Sequence, residues 1–234
     1  MSKLAVITGG GRGIGKSAAE HLAKKGYQVV ITYRDDAAAA NAVAKELGGR
    51  AIQLDVTRID SFAAFAAELP ETIDVLVHNA GTGTYGMLAD LTPAQFDEMM
   101  AVHFKGPLFL TQALLPKLAR GASIIQISTG LTRYGFAGQL LYASAKAGFE
   151  AAIRYLALEL GARGITANSI APGGVVTDFG GGYLRDEKLA AIVAGETALG
   201  RTAQADDIGE IVAALVDMRW ATGQRIEATG GYRL

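Results

Sequence analysis

Thr8-Gly9-Gly10-Gly11-Arg12-Gly13-Ile14-Gly15 lies between the apolar run Leu4-Ala5-Val6-Ile7 and an amphipathic pattern over 14–25. A strand feeding a glycine-rich turn into a helix presents bare backbone N–H groups and the positive end of a helix dipole to an anion such as a pyrophosphate. Glycine lets the turn close tightly and lets a ligand approach the backbone. The spacing is G-x-x-x-G-x-G over Gly9, Gly13 and Gly15, because Ile14 occupies the third glycine position of a G-x-G-x-x-G fingerprint. Such a turn alone can be a plain tight turn; its place after the first strand points to nucleotide binding.

Around this turn, strand-like runs alternate with helix-like ones. Strands are expected near 3–8, 27–33, 50–54, 73–78, 122–128, 165–171 and 224–227. Helical patterns fill 14–25, 36–47, 58–69, 92–119, 140–161, 186–198 and 204–218, with Gly106-Pro107 as the place where the fourth would break in two. The runs at 4–7, 73–77 and 124–127 are continuously apolar, as in parallel strands covered on both faces. The alternation predicts an α/β fold, a single doubly wound Rossmann-type domain over 1–234 with a seven-stranded parallel sheet flanked by helices. A substrate loop at about 173–200, loosest at Gly180-Gly181-Gly182, is expected to overhang the ligand beyond the strand ends, as a hinged lid or as a passive loop.

Composition removes several function classes. Half of the 234 residues are hydrophobic and 19% charged, enough for a large buried sheet and too little charge for disorder. A net charge of −1 gives no footprint for nucleic acid. The absence of cysteine excludes disulfides and thiolate metal sites and fits a reducing cytoplasm. No stretch of the sequence is long and apolar enough to be read as a membrane span, and no histidine or carboxylate pair has metal-ligand spacing, so neither membrane nor metal is expected.

Tyr142 and Lys146 stand one helical turn apart on one face of the pattern 140–161. A phenol titrates near 10 and is a poor acid–base catalyst at neutral pH; an adjacent ammonium favours the phenolate and lowers that value. The pair could donate a proton to a carbonyl, or be an incidental surface pair. In chain order the sequence presents the glycine turn, Asp55 closing the third strand, Asn79-Ala80-Gly81 after the fourth, Ser128-Thr129 ending the fifth, Tyr142-Ala-Ser-Ala-Lys146, then Pro172-Gly173 with Thr177, and a closing 222–231 segment TGQRIEATGG. From Lys3 to Gly231 this order resembles the short-chain dehydrogenase/reductase family.

The resemblance implies that Tyr142 is the acid–base and that Lys146 lowers its pKa and bonds the nicotinamide ribose. The family's serine, thirteen residues before the tyrosine, falls on Thr129 here; threonine keeps the hydroxyl and adds a methyl with a stiffer χ1. Ser128 would serve only if the loop were one residue tighter. The family's asparagine before the fifth strand is replaced by His103, either a proton relay or a histidine that fills space. His78 is expected to be packed at a strand end and His21 solvated.

NAD-specific folds place an acid at the end of the second strand and NADP-users an arginine. Here Tyr33 holds the acidic slot and Arg34 follows, with Arg12 projecting from the glycine turn. Two guanidiniums favour NADP(H) over NAD(H). Asp35 and Asp36 are the counter-evidence, unless they start the next helix. The implied cofactor set is Gly9, Arg12, Gly13, Ile14, Gly15, Tyr33, Arg34, Asp55 with Val56, Asn79, Ala80, Gly81, Tyr142, Lys146, Pro172, Gly173, Val175 and Thr177. Substrate walls are expected from Thr132, Arg133, Tyr134, Phe136, Phe179 and the 180–195 loop.

The expected activity is hydride transfer between NADP(H) and a small-molecule carbonyl or secondary alcohol, in a cytoplasmic homo-oligomer (tetramer or dimer) formed through the long helices and the last strand. The competing expectation is an NADP(H)-binding sensor of the same fold with little or no turnover.

Overall fold

The structure, a computed structural model, describes residues 3–234. Its main sheet contains β1 (Leu4–Ile7), β2 (Gln28–Tyr33), β3 (Arg50–Gln53), β4 (Ile73–His78), β5 (Leu118–Ile127) and β6 (Thr166–Pro172). Two short strands, β7 (Val175–Val176) and β8 (Ala203–Gln204), pair with each other, and β9 (Arg225–Ala228) completes the main sheet. All seven strands of the main sheet run parallel, in the order β3-β2-β1-β4-β5-β6-β9. The helices are α1 (Gly13–Lys24), α2 (Ala37–Glu46), α3 (Phe62–Glu68), α4 (Pro93–Met100), α5 (Gly106–Leu114), α6 (Leu140–Leu160), α7 (Glu187–Gly195) and α8 (Ala205–Leu215).

The alternating direction of strand side chains divides the core in two. Leu4 and Val6 of β1 join Phe62, Phe65, Leu110, Leu114, Phe149 and Ile153 on the side of α3, α5 and α6. Ala5 and Ile7 join Ala18, Leu22, Val43, Ile208 and Val212 on the side of α1, α2 and α8. Small residues let α1 and α8 approach closely: a Cβ on Gly209 would overlap the Ser17 hydroxyl.

The expected helix over 92–119 requires correction. Gly106-Pro107 does not break it, since Lys105 and Gly106 keep helical angles. A π turn over Ala101–Lys105 joins α4 to α5; a wider turn is one way a helix accommodates the missing N–H of a proline such as Pro107. Gly106 permits close approach, because a Cβ there would overlap the carbonyl oxygen of Val56. The helix ends at Leu114, and β5 begins at Leu118 instead of near 122, as Leu118 pairs with Ile73 before the ladder slips between Ile73 and Val75. The expected helix 58–69 shortens to α3, preceded by a 3-10 turn over Ile59–Ser61.

The 173–200 segment is not an open loop. It holds β7, 3-10 turns over Phe179–Gly181 and Tyr183–Arg185, and α7 capped by Asp186. Gly180, Gly181 and Gly182 have φ of 63°, 79° and 73°, a left-handed run that side-chain-bearing residues rarely adopt.

Candidate active site

The strand order reverses between β1 and β4, so a crevice opens at their carboxyl ends. Thr8 and Asn79 join its walls. The Thr8 hydroxyl accepts from the backbone N–H of Asn79 and of Ala80, each at 3.0 Å, while Asn79 Nδ2 donates to the carbonyls of Thr8 and Gly9, each at 2.9 Å. Asn79 is therefore a brace of the glycine turn. Gly9 and Gly13 have φ of 67° and 54°, and a Cβ on Gly15 would overlap the Gly9 carbonyl and the Asn79 amide. Ile14 is half-buried and packs against the core on the α1 side of the sheet.

This cradle fits a dinucleotide phosphate. The side chains of Asp36, Thr92 and Asp186 cap α2, α4 and α7, but α1 has no side-chain cap and no acid in its first turn. Its leading N–H groups stay available to an anion. Thr177 packs against Gly13, so the substrate segment begins at the turn. Pro172 ends β6, Val175 is in β7, and Gly173 is needed where the chain passes Thr229.

At the end of β2, Tyr33 is half-buried and Arg34 exposed. Arg34 Nε donates to Asp35 at 2.6 Å, and Asp36 alone caps α2. The expectation that both aspartates start the helix is thus corrected: Asp35 pairs with Arg34 and competes for its charge. Arg12 is exposed at the head of α1. Asp55 Oδ1 accepts from the backbone and hydroxyl of Thr57 at 2.9 and 2.8 Å; Val56 is buried beside it.

β5 and α6 bring Thr129, Tyr142 and Lys146 together. The Thr129 hydroxyl lies on the side of the Tyr142 phenol, whose pKa it lowers, and accepts from Leu131 N–H at 3.3 Å. Lys146 Nζ donates to the Ile127 carbonyl at 2.6 Å and lies 5.9 Å from the Tyr142 ring centroid. Burial pushes Lys146 down to about 8, opposed by the charge of Glu150. Burial raises the Tyr142 phenol, reinforced by Tyr183 and partly offset by Thr129. The expected lowering of the Tyr142 pKa is corrected here, because phenolate desolvation outweighs the stabilising contacts. Ser128 does not share the site: its hydroxyl donates to Glu150.

His103 lies in the π turn, buried, and its ring stands edge-on to Tyr142. A Cβ on Gly81 would press on its ring, so His103 backs the Asn79-Ala80-Gly81 wall. Burial and the Lys146 charge push its pKa down to about 3. His78 is buried, bonded to Thr111 at 2.8 Å and edge-on to Phe149. His21 is partly exposed on the helix surface, and its Nε2 reaches the exposed Asp206 at 2.7 Å, tying α1 to α8.

On the substrate side Phe179 leans on Tyr142, centroids 5.5 Å apart, and packs beside Gly83. Tyr134 packs at a tilt on Tyr232, and Arg133 donates to the Tyr232 carbonyl at 2.8 Å. Phe136 is more than half exposed. It lines an open depression of about 440 Å³ with Leu131, Leu140, Ala143 and Ser144. Sequence reasoning missed Glu150, although a carboxylate one turn past Lys146 on the Tyr142 face of an otherwise apolar stretch was its signal. Among the described residues no helix is long and apolar enough to cross a membrane, and no cluster of three metal-ligating side chains occurs.

The family described as Enoyl-(Acyl carrier protein) reductase matches residues 9–233. An uncharacterised oxidoreductase of Methylorubrum extorquens is 37% identical, covering 99% of this chain and 98% of the relative. The 3-oxoacyl-[acyl-carrier-protein] reductase of Staphylococcus aureus is 35% identical over the same shares. The crystal structure of a blue fluorescent protein from a metagenomic library, in complex with NADPH, superposes with a TM-score of 0.93 at 32% identity, covering 99% of this chain and 98% of that one. With its doubly wound parallel sheet and these relatives, the chain belongs to the short-chain dehydrogenase/reductase family of oxidoreductases.

Proposed function

We propose that this protein is an NADP(H)-dependent carbonyl reductase, or in reverse an alcohol dehydrogenase, with Tyr142 as acid–base. The observation that carries the reading is the meeting of the Thr129 hydroxyl and Tyr142 phenol above Lys146, at the same edge of the sheet as the uncapped head of α1. The chemistry NADPH supplies when bound is a hydride to the carbonyl carbon.

The protein's own residues do the rest. Thr129 and Tyr142 hold the carbonyl oxygen between two hydroxyls, and Tyr142 gives its proton as negative charge develops there. A phenol raised by burial stays protonated until that charge appears. Lys146, charged below about pH 8, stabilises the phenolate left behind and bonds the nicotinamide ribose. The head of α1 with Gly13 and Gly15 takes the pyrophosphate, Asp55 the adenine, and Asn79-Ala80-Gly81 flanks the adenosine ribose. Arg12 and Arg34 face the 2′-phosphate, where a second anion would draw Arg34 from Asp35. Phe179 and Tyr183 shield the reacting oxygen from water.

The reading treats 1–234 as one catalytic unit in the cytoplasm. Exposed Phe96, Tyr155, Leu158 and Trp220 supply apolar faces for a homo-oligomer. The NADPH bound by the metagenomic neighbour supports the cofactor. The test follows NADPH fluorescence with diketones, keto esters and aldehydes. Stoichiometric loss with alcohol formation is expected; NADPH binding without turnover across the panel would establish the sensor reading instead.

A further inference from the structure

We propose that Glu150, held by Arg225, is a positioning residue: it fixes the backbone on both sides of Thr129 and sets a negative charge one turn beyond Lys146. This rests on the roles of Thr129, Tyr142 and Lys146 given above.

Tyr142, Lys146 and Glu150 follow one another at four-residue intervals along one face of α6. The Glu150 side chain is 9% exposed. Its Oε1 accepts from the Ser128 hydroxyl and lies 3.0 Å from both Thr132 Oγ1 and Arg225 Nε. Ser128 and Thr132 flank Thr129-Gly130-Leu131, so one carboxylate meets that turn at either end. Thr132 Oγ1 is also 3.0 Å from the Thr129 carbonyl, so that carbonyl and Glu150 share its proton. Arg225, from β9, donates Nη2 to the Thr129 carbonyl at 3.3 Å. A second carboxylate, Glu227, accepts from Arg225 Nη1 and pairs with Arg133 at 3.2 Å. With Lys146 on the Ile127 carbonyl, residues 127, 128, 129 and 132 are all anchored to α6 or β9.

An ion pair with one partner buried and the other 23% exposed is seldom the most stable filling of its site, since an apolar group of the same shape often does as well or better. Here the pair places directional bonds on the residue that orients the substrate oxygen, where small misplacements cost rate. It also acts on Lys146. The groups facing that ammonium are Tyr142 and Glu150 from α6, His103 from the π turn and His78 from β4, with Arg225 from β9 behind Glu150. Both histidines are held neutral by burial, leaving Glu150 to oppose the desolvation of Lys146.

Glu150→Gln keeps the shape and removes the charge; Thr132→Ala keeps the ion pair and removes one grip. Two readouts apply: the pH midpoint of Lys146 acetylation by trace acetic anhydride, read by peptide mass spectrometry, and kcat and KM with the carbonyl panel. In Glu150→Gln the Lys146 midpoint is expected to fall by about one pH unit, with the alkaline limb of kcat moving equally, as loss of a nearby opposite charge requires. Thr132→Ala is expected to lower kcat about five- to tenfold with KM and the labelling midpoint unchanged, the signature of a lost orienting contact. An unmoved midpoint in folded Glu150→Gln, or wild-type kcat in Thr132→Ala, overturns the proposal. Should Glu150→Gln not fold, Thr132→Ala and Ser128→Ala decide together: both are expected to lower kcat with KM unchanged, and wild-type kcat in Ser128→Ala, whose hydroxyl bonds Glu150, overturns the proposal. Labelling needs no turnover, so an inactive wild-type protein would sink the reductase reading while the midpoint still tests Glu150.

Discussion

The imidazole of His103 stands edge-on to the ring of Tyr142, centroids 5.1 Å apart at 85°, with its Nε2 bonded to the Thr82 carbonyl at 2.7 Å. A carbonyl only accepts, so Nε2 carries the proton and Nδ1 a lone pair, which is buried with no partner among the described residues. A relay that cycles through imidazolium is disfavoured in this setting, because the pKa lies near 3. His103 is a neutral ring packed edge-on against Tyr142.

That neutrality fixes a pH dependence of stability. His103 and His78 titrate near 3 when folded and near 6.5 when unfolded, so below about 6.5 the unfolded chain binds protons that the native chain refuses. Stability is full above the unfolded value and falls as pH drops through 6.5 toward 3. Each histidine should cost about 2 kcal/mol between pH 7 and 5. Urea unfolding of His103→Asn is expected to show a loss over this range smaller by about that amount; an equal loss would mean that His103 titrates normally in the fold.

The two neighbouring hydroxyls at the end of β5 should separate cleanly. Thr129→Ala removes the donor that faces Tyr142, and its kcat is expected to fall about 100-fold or more, the scale of losing one oxyanion donor. Thr129→Ser should retain activity. Ser128→Ala releases only one grip of Glu150 and should cost about tenfold or less. If Ser128→Ala were the more damaging change, the oxygen-binding hydroxyl would be one residue earlier.

Cofactor preference is expected to depend on Arg12 and Arg34. A hydrogen bond to a charged group is worth roughly 1.5–3 kcal/mol, so each lost contact means about 10- to 150-fold weaker 2′-phosphate binding. Arg12→Ala with Arg34→Ala should lower kcat/KM for NADPH and leave that for NADH nearly unchanged. Asp35→Ala, which frees Arg34, should raise NADPH preference. An unchanged NADPH/NADH ratio in the double variant would assign the choice to another group.

Gly15→Ala tests the cradle. The new Cβ meets the Gly9 carbonyl and the Asn79 amide, both backbone-tethered, so the turn must open. NADPH affinity is expected to drop at least about tenfold, with a stability loss of about 1–3 kcal/mol as for other overpacked sites. Calorimetric titration showing wild-type affinity would remove the turn from the site.

Much of this was legible in the sequence because it is local. The strand–turn–helix at 4–24 follows from four apolar residues, glycines and an amphipathic run, and Tyr142 and Lys146 share a face by helical period alone. Pro107 misled because a π turn, which periodicity does not reveal, keeps the helix continuous. β7 and β8 have two residues each, too short for any alternation. Arg225 and Glu150 are 75 residues apart, and β9 was visible only as a strand, so the pair that grips Thr129 emerged only from the folded sheet. The Tyr142 pKa was misjudged for the same reason: its burial is a tertiary property.

The central claim is that the Tyr142 phenol delivers the proton to a carbonyl reduced by NADPH. Tyr142→Phe deletes that hydroxyl and leaves the ring against His103 and Phe179. With any carbonyl the wild-type protein reduces, kcat should fall by about 10²–10⁴ while the NADPH dissociation constant, read by fluorescence, stays within about threefold. A Tyr142→Phe protein retaining more than about a tenth of wild-type kcat would contradict the account.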